Sequence, residues 1–253
     1  MNITVFGASG GVGQHIVTLA AGRGHSLRAV YRAAPDRPPG DHVEILVDPD
    51  IFAPGFATRA VRGANVVITA LGPHFTRHHN PRTAMISPPD LHQRLARTLV
   101  AAIKSSGAPT RLISVSTGSM GPADDSMGLL PRLLFGFVRT VVAPNLRLVG
   151  QDLQAMEAEL AASGLDWYAP RPVKLTDGPL TQRVQAGDRF TVKTISRADL
   201  AWYIINLAEN PDPRQQRTPI VVSTGKHTRS RVSVEPEALR AASNAARSKT
   251  NRL

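Results

Sequence analysis

Short apolar runs alternate along this chain with stretches whose apolar residues recur every three or four positions. The run 65–72 is almost continuously apolar, which is typical of a central parallel strand buried on both faces. Further strands are predicted at residues 1–6, 26–31, 41–48, 111–116 and 165–169, and helices near 11–21, 87–107 and 151–162, with a short helical stretch that ends near residue 63. This alternation predicts an α/β protein built on a doubly wound parallel sheet.

The pattern changes after the predicted sixth strand. Beyond Pro179 it predicts, in order, a short strand at 189–193, a helix from Ser196 to Leu207 and a strand at 219–223. We interpret residues 180–224 as a small C-terminal lobe beside the sheet. Residues 118–147, which precede the helix before the sixth strand, are rich in Leu, Phe, Gly and Pro, and this favours a substrate lid or pocket wall. We therefore expect one domain over residues 1–224 that includes the lid and the lobe.

Three glycines spaced three residues apart follow the first strand. Gly7 suits a tight turn, Gly10 lets the backbone approach a phosphate, and Gly13 allows the next helix to pack closely on the sheet. The start of that helix turns its N–H groups and the positive end of its dipole towards the same place, and the Ser9 hydroxyl adds a donor. The pattern predicts a site for the pyrophosphate of a dinucleotide. The alternative is a glycine turn without a ligand.

The end of the second strand bears on which dinucleotide is bound. An acidic residue there would hydrogen-bond the adenosine ribose and favour NAD, but the strand ends in Tyr31 and Arg32. Because the fork of an arginine guanidinium suits the oxygens of a 2′-phosphate, Arg32 favours NADP(H) over NAD(H). In the alternative, Arg32 is only a solvated arginine at a strand end.

The composition narrows the class of protein. The 253 residues include no cysteine, which excludes a disulfide framework, a thiolate metal site and a cysteine nucleophile. The first residues already belong to a strand, which leaves no room for a cleavable signal sequence. The apolar stretch 129–142 is broken by a proline, a glycine and two arginines, so it is too short and too charged to span a bilayer. We expect a cytoplasmic protein.

The formal net charge of +11 is not spread evenly along the chain. Residues 225–253 hold seven Lys or Arg residues against two Glu, with few large apolar residues. This composition predicts a largely disordered basic tail. Such a tail can bind nucleic acid or anionic lipid without sequence preference, but a solvated terminus is the commoner case, and we do not expect a nucleic-acid partner.

Four stretches carry a resemblance to a known family. They are residues 7–13, residues 115–118, residues 163–172 with 175–179, and residues 195–201, and both their order and their spacing fit. On these residues the chain resembles the atypical short-chain dehydrogenase/reductase group, in particular the NAD(P)H-binding proteins similar to biliverdin reductase B and, more remotely, the NmrA-like proteins. The resemblance implies a Rossmann fold that binds NADP(H).

The resemblance also implies which residues hold the cofactor. It assigns the pyrophosphate to Gly7, Ser9, Gly10, Gly11, Val12 and Gly13, the 2′-phosphate to Arg32, the adenine edge to Asp48, the ribose and nicotinamide to Leu71, Gly72 and Ser116, and the lining of the nicotinamide pocket to Arg171, Pro172 and Val173. In an alternative interpretation, Arg171 forms an ion pair within the fold and Pro172 only ends the strand.

One part of the family pattern is missing from this chain. Ordinary short-chain dehydrogenases use a Tyr-x-x-x-Lys pair, in which the lysine lowers the tyrosine pKa so that the hydroxyl can exchange a proton with the substrate. The family spacing puts Val149 and Leu153 at those positions, and no lysine follows Tyr31, Tyr168 or Tyr203 four residues on. We therefore expect hydride transfer to a small conjugated acceptor, such as a flavin, a quinone or a tetrapyrrole, which takes its proton from solvent.

The remaining candidate chemistry lies in the loops after strands. Ser116 and Thr117 are candidate catalytic groups beside the hydride, and His74 and Arg171 are candidate contacts for an anionic substrate. His74 and His78 lie four residues apart, but the flanking prolines indicate a loop and no carboxylate lies close in sequence, so we expect no metal. The missing Tyr and Lys also favour a second interpretation, a regulatory protein that binds NADP(H) without turnover and acts through a protein partner. The oligomeric state is left open.

Overall fold

The structure of the chain, a computed structural model, describes residues 1–40, 42–72, 88–117, 144–187 and 194–224. Its strands are β1 (Asn2–Phe6), β2 (Ser26–Tyr31), β3 (Val43–Val47), β4 (Val66–Thr69), β5 (Arg111–Ser114), β6 (Trp167–Pro172), β7 (Lys174–Thr176), β8 (Gln185–Gly187), β9 (Thr194–Ser196) and β10 (Pro219–Ser223). Its helices are α1 (Gly11–Gly22), α2 (Pro54–Val61), α3 (Leu91–Ser106), α4 (Pro144–Ser163) and α5 (Arg197–Glu209). Among the described residues, one helix separates β3 from β4, one separates β4 from β5, and one separates β5 from β6, as the sequence predicts.

The central sheet has eight strands in the order β3-β2-β1-β4-β5-β6-β10-β8. Neighbouring strands run parallel except for β8, which pairs antiparallel with β10 at the edge. Phe6 of β1 lies opposite Val30 of β2 on one side and Thr69 of β4 on the other. Because the chain builds the sheet outward from β1 in both directions, the strand order reverses there, and the prediction of a doubly wound parallel sheet is confirmed. Ligands of such sheets bind beyond the carboxyl ends of the strands at the reversal.

Helices cover both faces of the sheet, and each face has its own apolar core. On one face α1 packs against α5 through buried residues that include Ile16 and Ile204. On the other face α2, α3 and α4 bury Phe56, Leu99 and Met156 against the sheet. The strand residues between the two layers are shielded from solvent on both sides, and all four residues of β4 are buried. The apolar run that the sequence assigns to a central strand therefore has the environment that its composition predicts.

Helix α3 shows how the sequence sets one element. Its apolar residues Leu91, Leu95, Leu99 and Ile103 recur at helical spacing, and each is 5% exposed or less. Burying a side chain of this size contributes roughly 1.5–3 kcal/mol. The helix ends at Gly107, which has a φ of +64° and forms the left-handed cap that glycine adopts most readily. The predicted position of this helix is confirmed.

Two elements run beyond their predicted limits. Helix α4 begins at Pro144, inside the segment interpreted as a lid, rather than at Gln151. Strand β6 continues to Pro172 because Val222 of β10 pairs alongside it. A strand ends where its pairing partner ends, and that partner lies far away in the sequence, so the local pattern carries no signal of it.

The residues interpreted as a small C-terminal lobe extend the central sheet instead of lying beside it. Strand β10 pairs in parallel with β6, and β8 pairs with β10, so both belong to the eight-stranded sheet. Strands β7 and β9 pair with each other in a separate two-stranded sheet. Ile220 and Val222 of β10 are buried, because α5 and α1 continue the apolar layer over this part of the sheet. The predicted helix after Ser196 and the predicted strand at 219–223 are both present.

Several predictions concern residues outside the described ranges. These are the strand at 189–193, most of the lid segment 118–147 and the basic tail 225–253. In the part of the chain that the structure describes, no helix combines the length and the apolar character that a membrane crossing requires.

Candidate functional site

The turn between β1 and α1 is packed against the end of β4. Gly7 has a φ of +84°, and a Cβ atom there would lie 2.6 Å from the Ala70 carbonyl oxygen. A Cβ atom at Gly13 would collide with the Gly7 carbonyl oxygen, to which the Gly10 N–H donates at 2.9 Å. The absence of a side chain at Gly7 and Gly13 is therefore a steric requirement of this turn. The predicted glycine turn is closed tightly at the point where the strand order reverses.

The amino end of α1 has the features of an anion site. Its N-cap is Gly10, which supplies no side-chain hydrogen bond to the first turn, and that turn contains no acidic residue. Ser9 and Gly11 are exposed beside the cap, whereas Val12 and Gly13 are buried. A helix that begins in this way presents backbone N–H groups and the positive end of its dipole, and both attract anions.

Arg32 and Asp48 lie at the same edge of the sheet as the glycine turn. Arg32 follows the last residue of β2 and is exposed. Asp48 follows β3, where its N–H donates to the Tyr31 carbonyl oxygen at 3.0 Å and its carboxylate accepts from the Asp50 N–H at 2.9 Å. Because β1, β2 and β3 are parallel, their carboxyl ends meet at one edge, and the fold brings the two residues to it.

His92 and Asp152 form a buried pair next to Leu71, which, like Gly72, follows β4. The His92 ring places Nδ1 at 2.7 Å from Asp152 Oδ2 and Nε2 at 3.3 Å from the Leu71 carbonyl oxygen. The backbone N–H groups of His92 and Gln93 also donate to the Asp152 carboxylate, each at 2.9 Å. The pair therefore ties the first turn of α3 to α4 and to the segment after β4.

Two opposing effects act on the pKa of Asp152. Burial alone would raise this pKa, but hydrogen bonds from the His92 ring and from two backbone N–H groups lower it, and the pKa lies below its ordinary value. Asp152 is thus ionised at neutral pH and accepts the proton on His92 Nδ1. His92 Nε2 faces the Leu71 carbonyl oxygen, and it can donate a hydrogen bond to that oxygen only when Nε2 carries a proton as well as Nδ1.

Neither His92 nor Asp152 is predicted from the sequence as a functional residue. Both are polar residues at buried positions of helices, each directly beside an apolar core residue, Leu91 in one case and Leu153 in the other. This position in an apolar stripe was the available signal. It shows that a polar side chain is buried but not which partner it meets, because the partner lies on another helix.

A second buried network joins the ends of β5 and β6. Ser116 Oγ donates to Glu157 Oε1 at 2.7 Å, and Arg171 Nε donates to the same oxygen at 2.8 Å. The Arg171 guanidinium also bonds the other oxygen of Glu157, so the ion pair is bidentate. The Ser116 N–H donates to the Pro170 carbonyl oxygen at 2.9 Å. Charge-assisted bidentate contacts are strong and directional, so Glu157 holds both Ser116 and Arg171 in position.

Ser116 and Arg171 are both predicted for the site from the sequence. Glu157, which joins them, is not. Glu157 projects from α4, between the buried residues Met156 and Leu160, and its signal was again a charged residue in an apolar stripe. Arg171 forms the ion pair that the alternative interpretation expects, and Pro172 is the last residue of β6. The Arg171 side chain keeps 20% exposure, at the edge where the parallel strands end.

The other predicted site residues fall into two groups. Thr117 and Val173 are half-buried and follow the ends of β5 and β6. His74 and the rest of its loop lie outside the described residues, so the contact predicted for His74 stays a prediction. Within the described ranges, no group of three or more His, Asp or Glu side chains could hold a metal ion.

A family model described as NAD(P)H-binding matches residues 7–211 of this chain. The match begins at Gly7, the first glycine of the turn, and ends after α5. It therefore includes the glycine turn, the residues after β2 to β6, and both buried networks.

Several solved structures have the same fold as this chain and match it over most of their length. Anaerobillin reductase ChuY from Escherichia coli O157:H7 is 21% identical with a TM-score of 0.64, and the alignment covers 91% of this chain and 100% of that chain. A protein from Streptococcus pneumoniae named as a candidate NADH-flavin reductase is 20% identical with a TM-score of 0.65, covering 89% and 100%. A wide-type short-chain dehydrogenase/reductase from Veillonella parvula in complex with NADP is 17% identical with a TM-score of 0.64, covering 90% and 95%. At these identities the likeness establishes the shared fold.

Proposed function

This chain belongs to the NAD(P)H-binding family, and on that premise we propose that it is an oxidoreductase that transfers a hydride from NADPH to a small conjugated acceptor. The observation that carries the proposal is the turn at Gly7 and Gly13, closed against β4 where the strand order reverses. The acceptor that we propose is a flavin, a quinone or a tetrapyrrole. The names of two proteins with this fold, an anaerobillin reductase and a candidate NADH-flavin reductase, support that class.

The order of the strands supports an extended cofactor site. In this proposal Asp48 meets the adenine edge, Arg32 the 2′-phosphate and residues 7–13 the pyrophosphate. Leu71, Gly72 and Ser116 then border the ribose and nicotinamide, and residues 171–173 line the nicotinamide pocket. These groups lie at or directly after the carboxyl ends of β3, β2, β1, β4, β5 and β6, which is the order in which the strands lie side by side. A dinucleotide laid across the carboxyl edge would therefore meet them in the order of its own parts.

The environments of the tyrosines support a reaction without a tyrosine acid. Burial raises the pKa of Tyr31, and burial together with the charge of Asp166 raises the pKa of Tyr168 to about 12. Burial also raises the pKa of Tyr203. A catalytic tyrosine needs a lowered pKa, which is the opposite shift. Leu153, at the position that the family spacing gives to the lysine, is buried in the apolar core.

The chain's own residues act by positioning in this proposal. When bound, NADPH supplies the hydride, and a conjugated acceptor takes the accompanying proton from water. The Ser116 hydroxyl donates its hydrogen bond to Glu157, so the lone pairs of the Ser116 oxygen remain to accept a hydrogen bond from the cofactor. Arg171, held by the same carboxylate, brings a guanidinium to the edge of the sheet, where it favours an anionic acceptor.

The test is the oxidation of NADPH by the purified protein, followed by absorbance, with a panel of a flavin, a quinone and biliverdin. Direct titration of NADPH binding accompanies it. We expect turnover with at least one acceptor. Binding of NADPH without turnover across the panel would contradict the proposed oxidoreductase.

The apolar residues at the family's Tyr and Lys positions favour a second candidate function. Val149 is half-buried and Leu153 is buried, so neither supplies the polar group that turnover by the usual mechanism needs. A protein that only senses NADP(H) and acts through a protein partner has no use for such groups. Tight NADPH binding without reduction of any acceptor would support this candidate and direct the search to a protein partner.

We also propose that residues 1–224 form one domain and that the lid segment covers the acceptor. The pairing of β10 with β6 supports a single domain, because it joins the C-terminal residues to the central sheet. The start of α4 at Pro144 shortens the segment that remains for a lid.

A further inference from the structure

The Arg197 side chain lies against the glycine turn. Arg197 is the first residue of α5, and Gly11 is the first residue of α1. A Cβ atom at Gly11 would lie 2.8 Å from Arg197 Cδ and 2.9 Å from Arg197 Nε. Since a side chain at Gly11 would displace the arginine, the guanidinium is held directly beside the amino end of α1, where the pyrophosphate is proposed to bind.

This arrangement gathers positive charge at one place. Both α1 and α5 begin there, and the first turn of α1 contains no acidic residue. An arginine in the first turn of a helix is electrostatically unfavourable, because the helix dipole is positive at that end. Arg197 is paired with Asp177, whose side chain is 88% exposed. Because an exposed ion pair contributes little, this carboxylate offsets the charge only weakly, and an anionic ligand would offset it better.

The neighbouring carboxylate in the first turn of α5 is already engaged. Asp199 donates its N–H to Ser196 Oγ at 2.9 Å, which caps the helix. Its carboxylate accepts from the N–H groups of Thr181 at 2.7 Å and Gln182 at 2.8 Å. These bonds tie the first turn of α5 to residues 181 and 182. The Asp199 carboxylate already accepts these hydrogen bonds, and the carboxylate paired with Arg197 is that of Asp177.

We propose that Arg197 is a binding residue for the cofactor pyrophosphate and that Asp177 holds its guanidinium in place until the cofactor binds. The inference rests on the proposed cofactor site and adds to it a residue from α5. The guanidinium fork of Arg197 matches two phosphate oxygens. When the cofactor binds, the pyrophosphate takes the place of the exposed Asp177 carboxylate as the partner of Arg197, and it carries more negative charge. Because NADPH and NADH share the pyrophosphate, Arg197 contributes to the binding of both and does not discriminate between them.

The test compares the affinity of Arg197→Ala for NADPH, NADH and adenosine 2′-monophosphate by calorimetric titration. NADPH and NADH should both bind more weakly by the same factor, about tenfold to a hundredfold, the range expected for a charge-assisted hydrogen bond. Adenosine 2′-monophosphate carries no pyrophosphate, so its affinity should equal that of the wild type. An unchanged NADPH affinity, or an equal loss for the monophosphate, would overturn the proposal.

Two further variants separate binding from a structural role. Asp177→Asn keeps Arg197 charged and removes a carboxylate from beside the phosphates, so NADPH should bind as tightly as before or more tightly. A loss as large as that of Arg197→Ala would show that the ion pair is a structural link and would contradict the proposal. Arg197→Lys keeps the charge but not the fork, and it should retain part of the affinity.

The matched control is Arg97→Ala, which breaks an exposed ion pair with Glu159 between α3 and α4. Its NADPH affinity should equal that of the wild type, and thermal unfolding shows whether each variant is folded. Wild-type protein that binds NADPH but reduces no acceptor would refute the oxidoreductase and leave the role of Arg197 intact. Turnover by wild type together with an unaffected Arg197→Ala would refute only the role of Arg197.

Discussion

Two buried carboxylates organise the candidate site at the scale of single residues. Glu157 accepts hydrogen bonds from Ser116 and Arg171, and Asp152 accepts them from the His92 ring. Both carboxylates project from α4; Glu157 reaches groups at the carboxyl ends of β5 and β6, and Asp152 reaches the first turn of α3. A helix on the face of the sheet therefore holds polar groups at the edge where the cofactor is proposed to bind.

The proposed role of Arg32 predicts a selective loss of affinity. Arg32→Ala should weaken NADPH binding by about tenfold to a hundredfold, because one charge-assisted contact to the 2′-phosphate is lost, while NADH binding stays nearly unchanged. Titration of both cofactors measures the difference. Arg62→Ala, an exposed arginine before β4 at the opposite edge of the sheet, is the control and should alter neither affinity. An equal loss for NADPH and NADH would contradict the 2′-phosphate assignment.

The network around Glu157 predicts coupled losses of stability. Glu157→Gln keeps the shape of the side chain but leaves the Arg171 guanidinium without its anion, so the free energy of unfolding should fall by about 1–3 kcal/mol. Ser116→Ala removes one hydrogen bond to the same carboxylate and should cost about 1 kcal/mol. Because the two substitutions disrupt one network, the double variant should lose less than the sum of the single losses. Urea unfolding measures all three, and additive losses would contradict the network.

At the scale of elements, close backbone contact decides where α1 lies. The helix can approach β1 because Gly13 carries no side chain towards the Gly7 carbonyl oxygen. The same contact closes the turn that presents the first N–H groups of the helix. The packing of α1 on the sheet and the geometry of the proposed pyrophosphate site are therefore one structural feature.

This contact predicts opposite results for two glycines of the same helix. Gly13→Ala forces the helix away from the strand, and it should lower the free energy of unfolding by about 1–3 kcal/mol and abolish measurable NADPH binding. Gly22→Ala, at the other end of α1, places a Cβ with nothing within 4 Å, so it should be neutral or stabilise by about 0.5–1 kcal/mol and leave NADPH binding intact. Urea unfolding and NADPH titration of both variants test this pair. Normal cofactor binding by Gly13→Ala would contradict the proposed site.

At the scale of the whole molecule, several carboxyl groups in different parts of the fold have lowered pKa values. Burial would raise the pKa values of Asp152 and Asp212, but hydrogen bonds to their carboxylates outweigh it, and both values are lowered. The hydrogen bond from Arg97 lowers the pKa of Glu159. Each of these three carboxylates therefore binds a proton less readily in the folded chain than in the unfolded chain.

The lowered pKa values predict that acid destabilises the protein. Their contribution to stability is fully present above the ordinary carboxyl range, near pH 4, and is lost as the pH falls through the lowered folded-state values. Asp152→Asn should be less stable than the wild type at neutral pH, and its stability should fall less steeply below about pH 4. Urea unfolding at a series of pH values measures both slopes. An unchanged slope in the variant would contradict the role assigned to the Asp152 carboxylate.

The sequence by itself determined the local elements and the glycine turn. The limits of α3, the cap of α5 at Ser196 and the steric demand at Gly13 depend on residues close together in the chain. The same locality explains why residues after strand ends, such as Arg32, could be proposed for the site. Parallel strands bring their carboxyl ends to one edge whatever their exact order.

Only the tertiary structure decided which strands pair and which polar side chains meet. The pairing of β10 with β6, the Glu157 network and the position of Arg197 against Gly11 all join parts of the chain that are far apart in sequence. A polar residue within an apolar stripe indicates burial, but its partner is set by the packing of another element. For that reason the sequence predicted the edge of the sheet at which the cofactor is proposed to bind, and only the fold showed which carboxylates and which arginine lie near the candidate site.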